Sequence, residues 1–282
     1  MANILLVGCG DLGGATAAQL HAAGHVVTGV RKSANLLPNI TTIQADVTDY
    51  SSLSQLIDLK PEIVIYCIAA TAQTDENYHA HYVLGLQNVL KTQQQNTQLK
   101  HVFFVSSTRV YGQLSDETLD EHTPAEPKDF GGLRLVEAEQ QLVTLACGST
   151  ALRLSGIYGE GRYYLVNLAR NPHNWSPQNS WTNRIHQTDA AAFIAFLVKK
   201  ITLSQPVNKC YIVTDCTPVS QHEVLKWLAA QMQIVLPNMA AATPTSGKRL
   251  SNQQMLATGF PMQYPDYKLG YHAVLKNIKD ET

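Results

Sequence analysis
The residues with the most specific chemistry stand at the start of the chain. Asn3-Ile4-Leu5-Leu6-Val7 is an apolar run, and Gly8-Cys9-Gly10-Asp11-Leu12-Gly13-Gly14 follows it directly. A strand that enters a helix through G-x-G-x-x-G leaves backbone N–H groups at a helix N-terminus, where phosphate binds. Gly8 allows the tight turn, Gly10 lets a pyrophosphate reach the backbone, and Gly13 lets helix and strand pack closely. The helical pattern of Ala15-Thr16-Ala17-Ala18-Gln19-Leu20 supplies the context that an isolated glycine turn lacks. The ligand this implies is a dinucleotide, with Gly8, Gly10, Asp11, Leu12 and Gly13 around its phosphates.

The next strand, His25-Val26-Val27-Thr28-Gly29-Val30, ends in Arg31-Lys32-Ser33. In NAD sites the position about 20 residues past the glycines holds an acid that bonds the adenosine ribose. Here it is Arg31, 18 residues past Gly13. A guanidinium grips a 2′-phosphate where a carboxylate would repel it. This reads as NADP, with NAD as the alternative, and with Lys32 and Ser33 beside Arg31. A solvated strand end is the plainer reading of the same residues. Asp46-Val47, after a third short strand, suits the adenine edge, although Asp46 also reads as a turn residue. Ile68-Ala69 and Ser106, at the ends of later strands, complete the expected cofactor contacts.

A second signal is His101-Val102-Phe103-Phe104-Val105-Ser106-Ser107-Thr108-Arg109-Val110-Tyr111-Gly112. An apolar strand ends in two serines, and ligands of open α/β sheets bind outside the carboxyl ends of the strands. A hydroxyl there can bond a substrate carbonyl or alcohol.

Positioning such residues needs a large α/β fold, and the chain is long enough at 282 residues. Strands are expected at 3–7, 25–30, 41–44, 63–68, 101–106 and 149–154, and helices near 12–23, 50–58, 76–97 and 131–146. That alternation predicts a doubly wound parallel sheet with right-handed crossovers. After Arg153 the rhythm loosens. Residues 171–183 read as a polar loop, 190–199 as a helix, 209–214 as a strand and 219–231 as a helix. Charge is nearly balanced, 21 Lys+Arg against 22 Asp+Glu. That speaks against a nucleic-acid or membrane-surface partner; the serine strand end above is what points to a small-molecule substrate. Apolar runs at 63–70 and 190–198 are too short to span a bilayer. Five cysteines without a C-x-x-C pair, and no basic leader, predict reduced thiols in a cytoplasmic protein with no metal site. Cys9 reads as a small buried thiol inside the loop.

With these motifs in order, the chain resembles the extended short-chain dehydrogenase/reductases, in their NAD-dependent epimerase/dehydratase branch. The resemblance runs through Gly8–Gly14, Asp46-Val47-Thr48-Asp49, Ser106-Ser107-x-x-Val110-Tyr111-Gly112 and Arg153-x-x-x-Ile157-Tyr158-Gly159-x-Gly161. It continues through Arg184-Ile185-His186-x-x-Asp189 and Tyr211-x-Val213-x-Asp215-x-x-Pro218-Val219-Ser220. The tail, Lys248-Arg249-Leu250-Ser251-Asn252 with Gly259-Phe260, fits as well. The resemblance implies a Rossmann, NAD(P)-binding domain over 1–155 with a return segment at 184–215. It implies a smaller substrate lobe from 156–183 and 216–282. It makes Ser107 the residue that binds and polarises the substrate. It also implies pairing of two copies through the helices near 76–97 and 131–146.

One departure stands out. Family members that move a hydride carry Tyr-x-x-x-Lys on the helix after the serine strand, as acid/base and its supporting cation. One register places Phe130 and Arg134 there, the other Gly131 and Leu135; neither supplies a tyrosine or lysine. Tyr111, Tyr158, Tyr163 and His186 are the remaining acid/base candidates, each with a packing role as its plainer reading. Lys128 next to this helix reads as solvated. Thr108, Tyr158, Arg162, Trp175, Trp181 and Arg184 are candidates for substrate contact, with Asn183 beside them. Trp rings stack on flat groups, although anchoring a loop serves them equally, and the arginines suit an anion. His79 and His81, two apart on a helix, read as surface histidines and not as a metal pair. The first functional reading is an epimerase/dehydratase-like oxidoreductase on a polar, sugar-nucleotide type of substrate. The rival is a catalytically silent NAD(P)-binding redox sensor or scaffold.

Overall fold
The computed structural model describes residues 1–34, 37–113, 117–237 and 243–280. Seven strands form the main sheet: β1 Asn3–Val7, β2 Val26–Arg31, β3 Thr41–Gln44, β4 Ile63–Tyr66, β5 His101–Ser107, β6 Gly148–Leu154 and β7 Cys210–Val213. Their spatial order is β7-β6-β5-β4-β1-β2-β3, the doubly wound sheet expected. The pairings of β1 with β2 and β4, of β2 with β3 and of β4 with β5 are parallel. Burial explains the order. Every residue of β4 is buried, as is β1 after Asn3, so both are unbroken apolar runs. β3 at the edge has no fully buried residue.

The helices are α1 Asp11–Ala22, α2 Asp75–Tyr78, α3 Gly85–Thr92, α4 Phe130–Val143, α5 Tyr164–Ala169, α6 Gln187–Thr202, α7 Gln221–Gln231, α8 Gln253–Ala257 and α9 Tyr267–Asp280. Among the described residues none is long and apolar enough to cross a membrane. The helix expected at 50–58 is a 3-10 turn, Tyr50–Leu56. Its serines bond locally: Ser51 Oγ donates to Asp49 and Ser52 Oγ to the carbonyls of Asp46 and Asp49. Such bonds offer the backbone an alternative to the α-helix. Between α2 and α3 the chain is π-helical, His79–Leu84. This overturns the surface reading of His81, which is 9 % exposed. Its Nδ1 lies 2.8 Å from the Asn77 carbonyl, and its own carbonyl accepts from the Tyr66 hydroxyl.

Contacts divide the chain into two compact units. Unit 1 comprises 1–112, 124–153 and 191–211; unit 2 comprises 113–123, 154–190 and 212–282. Unit 2 has its own core, built on Val166, Trp175, Val224, Leu225, Leu228 and Tyr271. Short strands tie it together: Gly156–Tyr158 pairs in parallel with Arg184–His186, and Arg249–Leu250 with Thr118–Leu119. The polar loop expected at 171–183 contains a strand, Ser180–Thr182, paired with Val219–Ser220 and Ser246–Gly247.

Candidate functional site
In unit 1 the turn from β1 into α1 is built on glycines. Gly8 has φ +101°, and a Cβ there would lie 2.6 Å from the Cys67 carbonyl carbon at the end of β4. A Cβ on Gly13 would overlap the Gly8 carbonyl oxygen and lie 3.1 Å from Leu6 Cδ2. At Gly10 a Cβ would meet nothing within 4 Å, so this residue faces open space. Gly10 is also the N-cap of α1, and among the described residues no side chain caps that end. The first-turn N–H groups of a helix have no partner inside the helix. An uncapped N-terminus beside a Cβ-free opening therefore fits a phosphate group. The loop lies between the carboxyl ends of β1 and β4, where the strand order reverses and ligands of doubly wound sheets bind. Leu12 is buried, whereas Asp11 is exposed on the first turn. Cys9 is 1 % exposed, and burial pushes its thiol up to about 11, so it is an inert part of the turn.

Arg31 ends β2. Its Nε is buried without a hydrogen bond among the described residues. Lys32 pairs instead with Asp46 at 2.8 Å. Burial alone would raise Asp46, but Lys32 and the bonds from Thr48 hold its carboxyl at about 2. Ser33 is exposed beside them. Val47 is buried and its carbonyl accepts from Asn88. Ile68 is half-buried and Ala69 exposed just past β4.

The two serines of β5 have different fates. The Ser106 hydroxyl donates to Glu139 Oε1 at 2.6 Å, inside the fold. Glu139 also accepts from Arg153 Nη2 at 2.6 Å, with both side chains close to nine-tenths buried. Arg153 Nη1 donates to the Tyr111 hydroxyl at 2.6 Å. Tyr111, 1 % exposed, thus serves packing through this network. Ser107 is half-exposed and caps the 3-10 turn Thr108–Val110, its Oγ accepting from the Arg109 N–H at 3.2 Å. Thr108 is buried.

α4 opens on Phe130 and Gly131, with Arg134 at the start of its second turn, and Asp129 caps it by accepting from the Gly132 N–H at 2.8 Å. Gly131 and Leu135 are buried. Arg134 is held by Asp75 at 2.7 Å and by Glu137 at 2.7 Å. Sequence reasoning passed over Arg109, whose guanidinium joins Asp129, Gln73 and Tyr78 in this region. Its partners are remote in sequence, so no local spacing marks them.

In unit 2, Tyr158, Arg184, His186 and Asp215 are all buried. Tyr158 stacks on Tyr271 at 4.3 Å and meets His186 edge-on at 5.2 Å. Its hydroxyl, Arg184 Nη1 and Asp215 Oδ2 are buried without a hydrogen bond among the described residues. Burial pulls the His186 imidazole down to about 4, keeping it neutral. Burial pushes Asp215 up to about 7, with the Arg184 charge opposing it. Arg184 Nη2 donates to Thr182, and its guanidinium lies 5.5 Å from the Tyr267 ring. Trp175 is a core residue, 6 % exposed, whose indole N–H donates to the Leu168 carbonyl at 2.9 Å, which anchors its loop. Trp181 and Arg162 are half-buried, with Arg249 over the Trp181 ring at 5.1 Å. Tyr163 packs against the core of the unit.

The model of the NAD dependent epimerase/dehydratase family matches residues 4–208. A protein from Methylobacillus flagellatus designated an NAD-dependent epimerase/dehydratase is 46% identical, with a TM-score of 0.89 over 99% of both chains. The Bordetella bronchiseptica enzyme WbmG, solved with NAD and UDP, is 16% identical with a TM-score of 0.80, over 99% of this chain and 96% of that one. UDP-glucose 4-epimerase from Thermus thermophilus, solved with NAD, is 16% identical with a TM-score of 0.77, over 99% of this chain and 100% of that one. No curated protein matches the sequence.

Proposed function
Since the chain belongs to the NAD-dependent epimerase/dehydratase family, we propose that it is an NAD(P)-binding oxidoreductase of epimerase or dehydratase type, acting on a polar, sugar-nucleotide class of substrate. The opening at Gly10 in front of the uncapped N-terminus of α1 is the observation that carries the reading. When bound, the nicotinamide would supply hydride chemistry; the chain's own residues hold it and orient the substrate. Gly8, Gly10 and Gly13 hold the pyrophosphate, and Asp46 and Val47 border the adenine. Arg31 favours NADP, because its Nε has no partner among the described residues while Lys32 is already paired with Asp46. Ser107, the half-exposed serine, orients a substrate oxygen. Unit 2 is the substrate lobe, with Trp181 and Arg162 its half-buried contact candidates. Two copies pair through the helical stretches at 76–97 and 131–146, where Leu84 on the first and Leu133 and Val143 on the second are exposed.

The rival, a silent NAD(P)-binding sensor or scaffold, is favoured by one observation: α4 contains neither tyrosine nor lysine. Titration calorimetry with NADP, NADPH, NAD and NADH tests the reading first. Micromolar NADP(H) binding with weaker NAD(H) binding is expected; binding of none of the four refutes it. A Ser107→Ala variant then separates the two functions, since only the enzyme loses cofactor-linked turnover.

A further inference from the structure
Arg109 is held more firmly than a surface arginine usually is. Its Nε donates to both oxygens of Asp129, at 2.9 and 3.0 Å. Its Nη1 donates to the Tyr78 hydroxyl at 2.8 Å and to Gln73 Oε1 at 3.1 Å. Its carbon Cζ lies 5.1 Å from the ring centroids of both Tyr78 and Phe130. The side chain is nonetheless 30% exposed. Its Nη2 makes no hydrogen bond among the described residues. Two N–H donors on a fixed cation are thus left over.

The position of this group matters as much as its rigidity. A Cβ on Gly131 would lie 2.6 Å from Arg109 Nη1 and 2.7 Å from Nε. The guanidinium therefore fills the space that a side chain at 131 would use. Phe130, the other candidate for the missing tyrosine, stacks on the same guanidinium. In either register Arg109 borders that place, and in the Phe130 register Tyr78 borders it too. It sits on the same turn as Ser107, at the carboxyl end of β5.

We propose that Arg109 is a substrate-anchoring residue whose Nη2 binds a negatively charged oxygen, carboxylate or phosphoryl, of the substrate beside Ser107. This rests on the reading of the chain as an enzyme for a small polar substrate. A guanidinium gives an oxyanion charge-assisted bonds in a planar array, and pre-ordering removes part of the entropy cost of binding. One such contact supports a dissociation constant on the order of 10 mM for a small anion.

The test uses the full chain labelled with 15N-arginine and follows the guanidinium resonances by NMR. Inorganic phosphate and malonate are titrated separately, with sodium chloride as the reference salt. A saturable shift of the Arg109 signal, assigned by its loss in Arg109→Gln, is expected. The probe that saturates at the lower concentration identifies the phosphoryl or the carboxylate source. Arg109→Lys, keeping the charge without the planar fork, should weaken the binding by roughly tenfold. An Arg109 signal that moves no further with either anion than with chloride overturns the proposal. So does saturation only at the signal of another arginine, such as Arg31. Arg109→Lys also removes the Arg109 signal, so either variant assigns it and one that does not fold leaves the proposal testable. Absence of NADP(H) binding in calorimetry would instead refute the cofactor reading, and it leaves the Arg109 titration to be judged on its own.

Discussion

Replacing Asp215 with asparagine should change the pH dependence of stability more than stability itself. Asp215 is 1 % exposed, and its Oδ2 has no hydrogen bond among the described residues. Its other oxygen accepts from the Thr217 N–H at 3.1 Å, a bond that an asparagine oxygen keeps. Burial raises the carboxyl from 3.8 to about 7; Arg184 and the Thr217 bond oppose this, and Asp266 adds to it. Between those two values the folded chain holds a proton that the unfolded chain has released. Stability therefore falls as pH rises from about 4 to about 7, and is level above that. The full loss is roughly 4 kcal/mol, of which roughly 2–3 kcal/mol lies between pH 5 and 8. Asparagine mimics the protonated acid and cannot lose that proton.

The stability of Asp215→Asn relative to wild type should therefore climb by roughly 2–3 kcal/mol from pH 5 to pH 8, measured by urea unfolding at each pH. Two buried histidines act in the opposite sense. Burial holds His101 and His186 at about 4, so their contribution is lost as pH falls below their ordinary value of 6.5. Both are present in both proteins and cancel in the difference. Parallel curves for the two proteins across this range would refute the argument, because they would mean that Asp215 is ionised in the fold throughout.

The remaining predictions concern unit 1. Gly10→Ala should leave the melting temperature unchanged or slightly raised, since its φ of −77° suits alanine and its Cβ meets nothing, yet it should abolish dinucleotide binding in calorimetry. Gly13→Ala should lose both, because the new Cβ overlaps the Gly8 carbonyl and forces α1 off β1, costing about 1–3 kcal/mol. Arg31→Asp should shift calorimetric preference from NADP toward NAD; an unchanged ratio would remove the role given to Arg31. Glu139→Gln strands the buried Arg153 charge and should destabilise unit 1 by about 3 kcal/mol in chemical unfolding.

The parts of this molecule that were legible in its sequence are those whose requirement is local. The glycine turn is one: Gly8 and Gly13 need to lack a Cβ because of neighbours within a few residues or on the adjoining strand end. The apolar runs of β1 and β4 are another, since only a strand buried on both faces reads that way. The serine pair shows where local reading stops short. Successive side chains of a strand point to opposite faces, so Ser106 and Ser107 could not both face a ligand; that rule was available and separates them, Ser106 going inward to Glu139. The place of Arg109 was not available. Its side-chain partners Gln73, Tyr78 and Asp129 lie 36, 31 and 20 residues away. Within its own motif it occupied a position that any residue could fill. The same holds for Asp215, whose acidity is set by burial beside Arg184, 31 residues earlier in the sequence. Charge and burial are settled by tertiary packing, which no local spacing in the sequence records.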